Sequence, residues 1–170
     1  RVFDGKTIDD WKKSGAASWT VEDGVLVGRG NAGHLFSPRG DYKNLEQRAM
    51  VMINDQGNSG FYFRTKFGEG FPDGYEAQID ASHADPQRTG SLYGISKVLI
   101  PLVPANVWFE YRVRCVDEKA GTHIQIWVNG LKTVDYVAPE RKYKSGHLCL
   151  QQHNEGSEVR FRAIEVRETK

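Results

Sequence analysis

The sequence predicts an all-β fold, a two-sheet antiparallel sandwich of jelly-roll type. Three observations carry this: apolar and polar residues alternate over short segments, turn dipeptides separate those segments, and helical periodicity is scarce. The first segments are "SWTVE" (18–22) and "VLVG" (25–28), joined by "DG", a two-residue turn that needs positive φ and marks a hairpin. Strands follow at 45–53, 60–65, 75–80, 91–95, 108–116, 123–128, 132–137, 146–153 and 158–166, with "NG" after the one ending at 128. Segment 108–116 is the clearest, with Phe109, Tyr111, Val113 and Cys115 on one face, predicted to be core, and Trp108, Glu110, Arg112 and Arg114 on the other. In the last strand Val159, Phe161 and Ala163 share one parity and Ile164 and Val166 the other, which predicts a β-bulge near Ala163. Only 5–13 and 139–144 have room for a helical turn, and "SHADPQRTG" (82–90) is the longest loop. About eleven short strands must close or stack to cover their apolar faces, and stacking as a sandwich is favoured over a barrel.

The 170 residues are expected to form a single domain over 1–170. Its 23 basic and 22 acidic side chains nearly cancel, which argues against nucleic-acid or membrane partners and suits a small, uncharged ligand. Cys115 and Cys149 lack metal-ligand spacing, so they are free or paired rather than a zinc site. The five histidines show no HxH or HExxH spacing, and the aspartates of the 82–90 loop offer no ligand series for calcium; neither metal nor cofactor is expected.

Candidate functional residues come from strand parity. If the apolar parity of each central strand faces the opposing sheet, then Glu46 and Arg48, Tyr62 and Arg64, Glu76, Gln78 and Asp80, and Gln151 and His153 share the outer face. The mixture suits a sugar: guanidinium and carboxylate each grip adjacent hydroxyls with paired hydrogen bonds, and aromatic rings lie against the C–H face of a pyranose. A polar outer sheet face with cross-strand ion pairs has the same pattern, so the site competes with ordinary surface decoration. Ser59 in "GNSG" reads as a turn residue rather than a nucleophile, and Trp127 is the tryptophan expected to be most exposed.

In order and spacing, "VFDGKTIDDWK" (2–12), "WTVEDGVLVG" (19–28), "GNSGFYFR" (57–64), "GYEAQID" (74–80), "RTGSLYG" (88–94) and "LQQH" (150–153) resemble the 3-keto-disaccharide hydrolase domain family. The resemblance implies a concanavalin A-like lectin/glucanase sandwich, a carbohydrate substrate, and export to the periplasm or cell surface of a bacterium. By position it picks out Asn58, Ser59, Gly60 and Arg64, then Glu76, Gln78 and Asp80, then Thr89, Gly90, Tyr93 and Gly94, and finally His153. Some relatives carry a second acidic residue where this chain has Ala81; were that residue catalytic, this chain would be impaired as an enzyme.

Such an enzyme would cleave a 3-keto-glycoside. The ketone makes the C2 proton acidic, a base removes it, donors hold the enolate, the C1 aglycone leaves and water adds back. Expected catalytic residues are Glu76, Asp80 and His153, with Glu46, Tyr62, Arg64, Gln78, Tyr93 and Gln151 binding substrate. Either Glu76 or His153 serves as base, and Asp80 or Tyr93 as proton source. Two alternatives stand beside it: a lectin-like module without turnover, and a conventional glycosidase using Glu76 and Asp80 as its carboxylate pair.

Overall fold

The computed structural model describes residues 1–169. It contains ten strands and, among the described residues, no helix: β1 (Lys12–Glu22), β2 (Val25–Phe36), β3 (Leu45–Ile53), β4 (Asn58–Lys66), β5 (Asp73–Asp80), β6 (Phe109–Glu118), β7 (Gly121–Val128), β8 (Leu131–Ala138), β9 (His147–Gln152) and β10 (Val159–Glu168). Every strand pairing is antiparallel. The hydrogen-bonded order is β5-β4-β9-β2-β10-β3-β6-β7-β8, with β1 along β2.

Strand β2 folds this path into two layers. Its first part, Leu26–Gly28, pairs with Val159–Phe161 of β10, and its last part, Gly33–Phe36, pairs with β9. One layer is therefore β5-β4-β9 and the other β10-β3-β6-β7-β8, with a single strand serving both. Their inner faces meet at Phe61 of β4, whose ring lies 6.2 Å from Tyr111 of β6 and 6.1 Å from Phe161 of β10. The curled antiparallel sheet is the predicted jelly-roll sandwich.

Local chemistry explains the hairpins. Asp23 and Gly24 both have positive φ (49° and 79°), as do Asn129 and Gly130 (48° and 80°), the requirement of the two-residue turns foreseen at "DG" and "NG". The bulge foreseen in the last strand is present: Ala163 has φ 53° and the β10–β3 register shifts between Arg162 and Glu165. Phe109, Tyr111, Val113 and Cys115 are all buried, as their parity required.

Three expectations need correction. Residues 91–95 form a turn rather than a strand, because Gly90 and Gly94 take positive φ (97° and 71°) and only Leu92 bridges, to Ala77 and Ser96. Segments 5–13 and 139–144 hold turns and strand ends, not helical turns. Strand β2 runs to Phe36 rather than ending at residue 28, which brings His34 onto a sheet face. Both cysteines are buried free thiols. Trp11 and Trp19 are core residues, while Trp127 lies on the β6–β7 face with the Arg112 guanidinium 3.9 Å from its ring.

Candidate functional site

The outer face of β9-β4-β5 is assembled by cross-strand pairing. Phe36 sits opposite Cys149, Cys149 opposite Tyr62, and Tyr62 opposite Glu76, a row spanning β2, β9, β4 and β5. One pleat along, His34 faces Gln151 and Gly60 faces Gln78. Gly60 has a steric reason: a Cβ there would lie 2.4 Å from Glu76 Oε1 and 2.5 Å from the Tyr62 ring, so only glycine leaves room for the carboxylate.

These side chains wall a pocket of about 250 Å³ lined by Asn58, Tyr62, Glu76, Gln78, Gln151 and His153, with Phe71 and Tyr93 at its edge. Gln151 Nε2 donates to the Tyr62 hydroxyl at 3.0 Å. Gln151 Oε1 and both side-chain atoms of Gln78 are buried with no hydrogen-bond partner among the described residues. Buried amides are normally satisfied, so three open positions in one pocket fit the donors and acceptors of a polar ligand. Burial pushes the Glu76 carboxyl up to about 8; a hydrogen bond from Tyr62 opposes this and the Asp85 charge adds to it. A carboxyl held near neutrality in a pocket is equipped for proton transfer.

Loops complete the wall. The Tyr93 hydroxyl donates to Asp85 Oδ2 at 2.7 Å, and this bond, with burial second, raises its phenol to about 12. His153 Nδ1 lies 3.0 Å from Asn154 Oδ1, an acceptor, so Nδ1 carries the proton and Nε2 is the other exchangeable position. His83, its ring 5.7 Å from that of His153, accepts at Nδ1 from the Asp85 N–H at 3.1 Å.

Of the residues expected from the sequence, Tyr62, Glu76, Gln78, Tyr93, Gln151 and His153 come together in this pocket. Arg64, Asp80 and Glu46 do not. Arg64 has φ 52° in a bulge where the β4–β5 and β4–β9 registers both shift, which turns its side chain off the outer face. Its fully buried guanidinium donates to Asp117 Oδ1 (2.9 Å), Lys43 O (2.7 Å), Tyr143 O (3.0 Å) and Asn44 Oδ1 (3.3 Å), a structural clamp between the layers. Asp80 lies beneath the 82–90 loop with no exposed side-chain area; its Oδ1 accepts from the His83 N–H (2.9 Å) and Arg88 Nη1 (2.7 Å). Glu46 is on β3 in the other layer, 3.5 Å from Arg167. Ala81 packs in the core, so an acidic side chain at this position would face the core, not the pocket.

Other motif residues are structural. Ser59 is buried and donates to Gln151 O at 2.6 Å, which ties β4 to β9. Thr89 Oγ1 accepts from the Asp80 N–H at 2.9 Å, and the Tyr111 hydroxyl donates to Gln78 O at 2.7 Å while accepting from the Gly90 N–H at 3.1 Å. The parity argument missed three pocket residues, Asn58, Tyr93 and Phe71, of which the family resemblance picked out the first two. An aromatic residue inside the glycine-rich run "GEGFPDG" was the available signal for Phe71, which is 75% exposed.

With this geometry in place, comparison with known proteins decides the family. The model of the 3-keto-alpha-glucoside-1,2-lyase-like domain matches residues 1–167. The chain belongs to this family. No curated protein matches it. Among solved structures it is similar to a putative glycosyl hydrolase from Parabacteroides distasonis (TM-score 0.75, 21% identity, 94% of this chain and 99% of that one). It is also similar to the carbohydrate-binding module CBM66 from Bacillus subtilis (TM-score 0.68, 16% identity, 94% and 96% covered). A third is the Emp46p carbohydrate recognition domain (TM-score 0.69, 10% identity, 98% and 94% covered). At these identities the likeness is one of fold.

Proposed function

We propose that this domain cleaves 3-keto-glycosides by removing the C2 proton and eliminating the C1 aglycone. The observation that carries the reading is Glu76, a carboxyl raised to about 8 among open amides in a sugar-sized pocket. Ionised Glu76 takes the C2 proton, and the C–H electron pair forms the C2–C3 double bond as the C3 carbonyl becomes an enolate. Gln78 Nε2 and Asn58 donate to that oxygen, supplying the stabilisation a developing oxyanion needs. As the carbonyl re-forms, the C1–O bond breaks and a double bond appears between C1 and C2. Protonated His153 gives its Nε2 proton to the departing oxygen. Addition of water across the new double bond returns net hydrolysis. Export to the periplasm or cell surface belongs to the same reading.

The test is incubation with a 3-keto-disaccharide and its unoxidised parent in D₂O, followed by mass spectrometry. Aglycone release only from the keto sugar, with an unsaturated intermediate and deuterium at C2, is the expected result. Saturable binding with the ligand intact makes the domain a lectin, in keeping with its likeness to CBM66. Cleavage of the unoxidised sugar would restore a conventional glycosidase, although Asp80, its required second carboxylate, is buried away from the pocket.

A further inference from the structure

A second cavity, of about 120 Å³, adjoins the Glu76 pocket and shares Phe71, Gln151 and His153 with it. Its lining differs in kind. Gly15, Ala32 and Gly33 form one side, and no Asp, Glu, Lys or Arg lines it. The glycines are there because β1 and β2 nearly touch at the β1 bulge: a Cβ on Gly15 would lie 2.7 Å from Ala32 O, and one on Gly33 2.7 Å from Ala17 Cβ. Phe71 stands at the mouth, its ring 6.4 Å from His34 and 6.2 Å from His153. Its loop is tied to the sheet by Glu69 Oε2, which accepts from the Gly15 N–H at 3.3 Å.

Besides Gln151 Oε1, on the wall shared with the Glu76 pocket, two polar atoms are left over. His34 is 5% exposed, and its Nε2 has no hydrogen-bond partner among the described residues; the same holds for Gln152 Oε1. Burial, with the charge of His153 second, lowers the His34 imidazole to about 4, so it is neutral and able to accept a hydrogen bond. A second sugar ring would bring several hydroxyls against a largely apolar wall, each losing water without a replacement partner. A cavity of this size is close to the roughly 150 Å³ that holds one benzene ring.

We infer that this cavity is the aglycone subsite and that it selects a flat aromatic aglycone carrying a hydroxyl, as in a phenolic glucoside, rather than a second sugar. The placement rests on the proposed function. His153, the proton donor to the leaving oxygen, borders both this cavity and the Glu76 pocket, so the aglycone departs on this side. The ring packs against Phe71 and the glycine floor, and its hydroxyl donates to His34 Nε2.

The test uses unoxidised ligands, so that it reads binding without turnover. Dissociation constants are measured for 4-hydroxyphenyl α-glucoside, methyl α-glucoside and maltose on the intact chain and on Phe71→Ala and Ala32→Leu. The aryl glucoside is expected to bind about ten- to a hundredfold tighter than the methyl glucoside, the range for burying one apolar ring. That ratio should fall to about threefold or less when Phe71 is removed or Ala32 fills the cavity. Equal affinities, no binding by either glucoside, tighter binding of maltose, or a ratio untouched by both variants overturns the proposal. If no 3-keto-glycoside is cleaved but the aryl preference and its loss persist, the subsite stands and the elimination chemistry falls.

Discussion

Two outer faces of the sandwich look alike in sequence and differ in the folded molecule. On the β3-β6-β7 face the charged groups are spent on one another. Arg48 pairs with Glu165 at 2.7 Å, Arg167 with Glu46 at 3.5 Å and Arg114 with Glu118 at 3.4 Å, while Arg112 covers Trp127. On the β9-β4-β5 face one carboxyl is held near neutrality, and the amides of Gln78 and Gln151 keep buried atoms without partners. Polarity alone therefore does not mark a site; unmet hydrogen-bonding capacity does.

Substitutions sharpen this contrast. The largest effect is expected from Glu76→Gln, which should lower turnover of a 3-keto-glycoside by about 10²- to 10⁴-fold, the usual contribution of a general base. In the parent, the acid limb of the kcat/KM profile should rise with pH through about 8, as Glu76 ionises. Stability should move the other way. The unfolded carboxyl ionises near pH 4.3, whereas the folded one stays protonated to about 8, so the native state binds more protons in that window and loses stability as pH rises through it. Glu76→Gln lacks this loss, and its melting temperature relative to the parent should climb between about pH 4.3 and 8.

Next comes Arg64→Ala. Removing the guanidinium strands Asp117, Asn44 Oδ1, Thr122 Oγ1 and the carbonyls of Lys43 and Tyr143, an expected cost of about 3–5 kcal/mol in denaturant unfolding. A loss of activity without loss of stability would instead put Arg64 back in the site. The smallest effect is expected from Arg48→Ala, within about 0.5 kcal/mol in stability and unchanged in turnover. A large effect there would erase the distinction between the two faces.

Much of the architecture was legible because it is local. Alternation located all ten strands at least in part and added one at 91–95 that is a turn, the "DG" and "NG" dipeptides marked hairpins, and the parity switch around Ala163 marked a real bulge. The bulge at Arg64 left no such trace: the apolar parity set by Phe61 and Phe63 continues up to it, and a positive φ on arginine has no sequence signature. Glu46 failed for another reason. Parity assigns a side chain to a face of its own strand, but the layer to which that strand belongs depends on pairings far apart in sequence. Asp80 has the parity of Glu76 and Gln78, yet the 82–90 loop folds over it, and alternation carries no information about what covers a strand. His34 was missed because the glycines at 28, 30 and 33 read as the end of a strand, whereas β2 continues through them into the second layer.

That continuation of β2 bears on motion. A sandwich whose layers join only through loops can part along its core without disturbing either sheet. Here one strand hydrogen-bonds in both, so separating the layers means rupturing the ladder with β9 or with β10. Amide exchange at Leu26, Leu35, Leu150 and Phe161 should then report a single opening event of the whole domain. The strands under the pocket are held as a fixed platform, which leaves adjustment to a guest to the rim: the Phe71 loop and the segment around Tyr93.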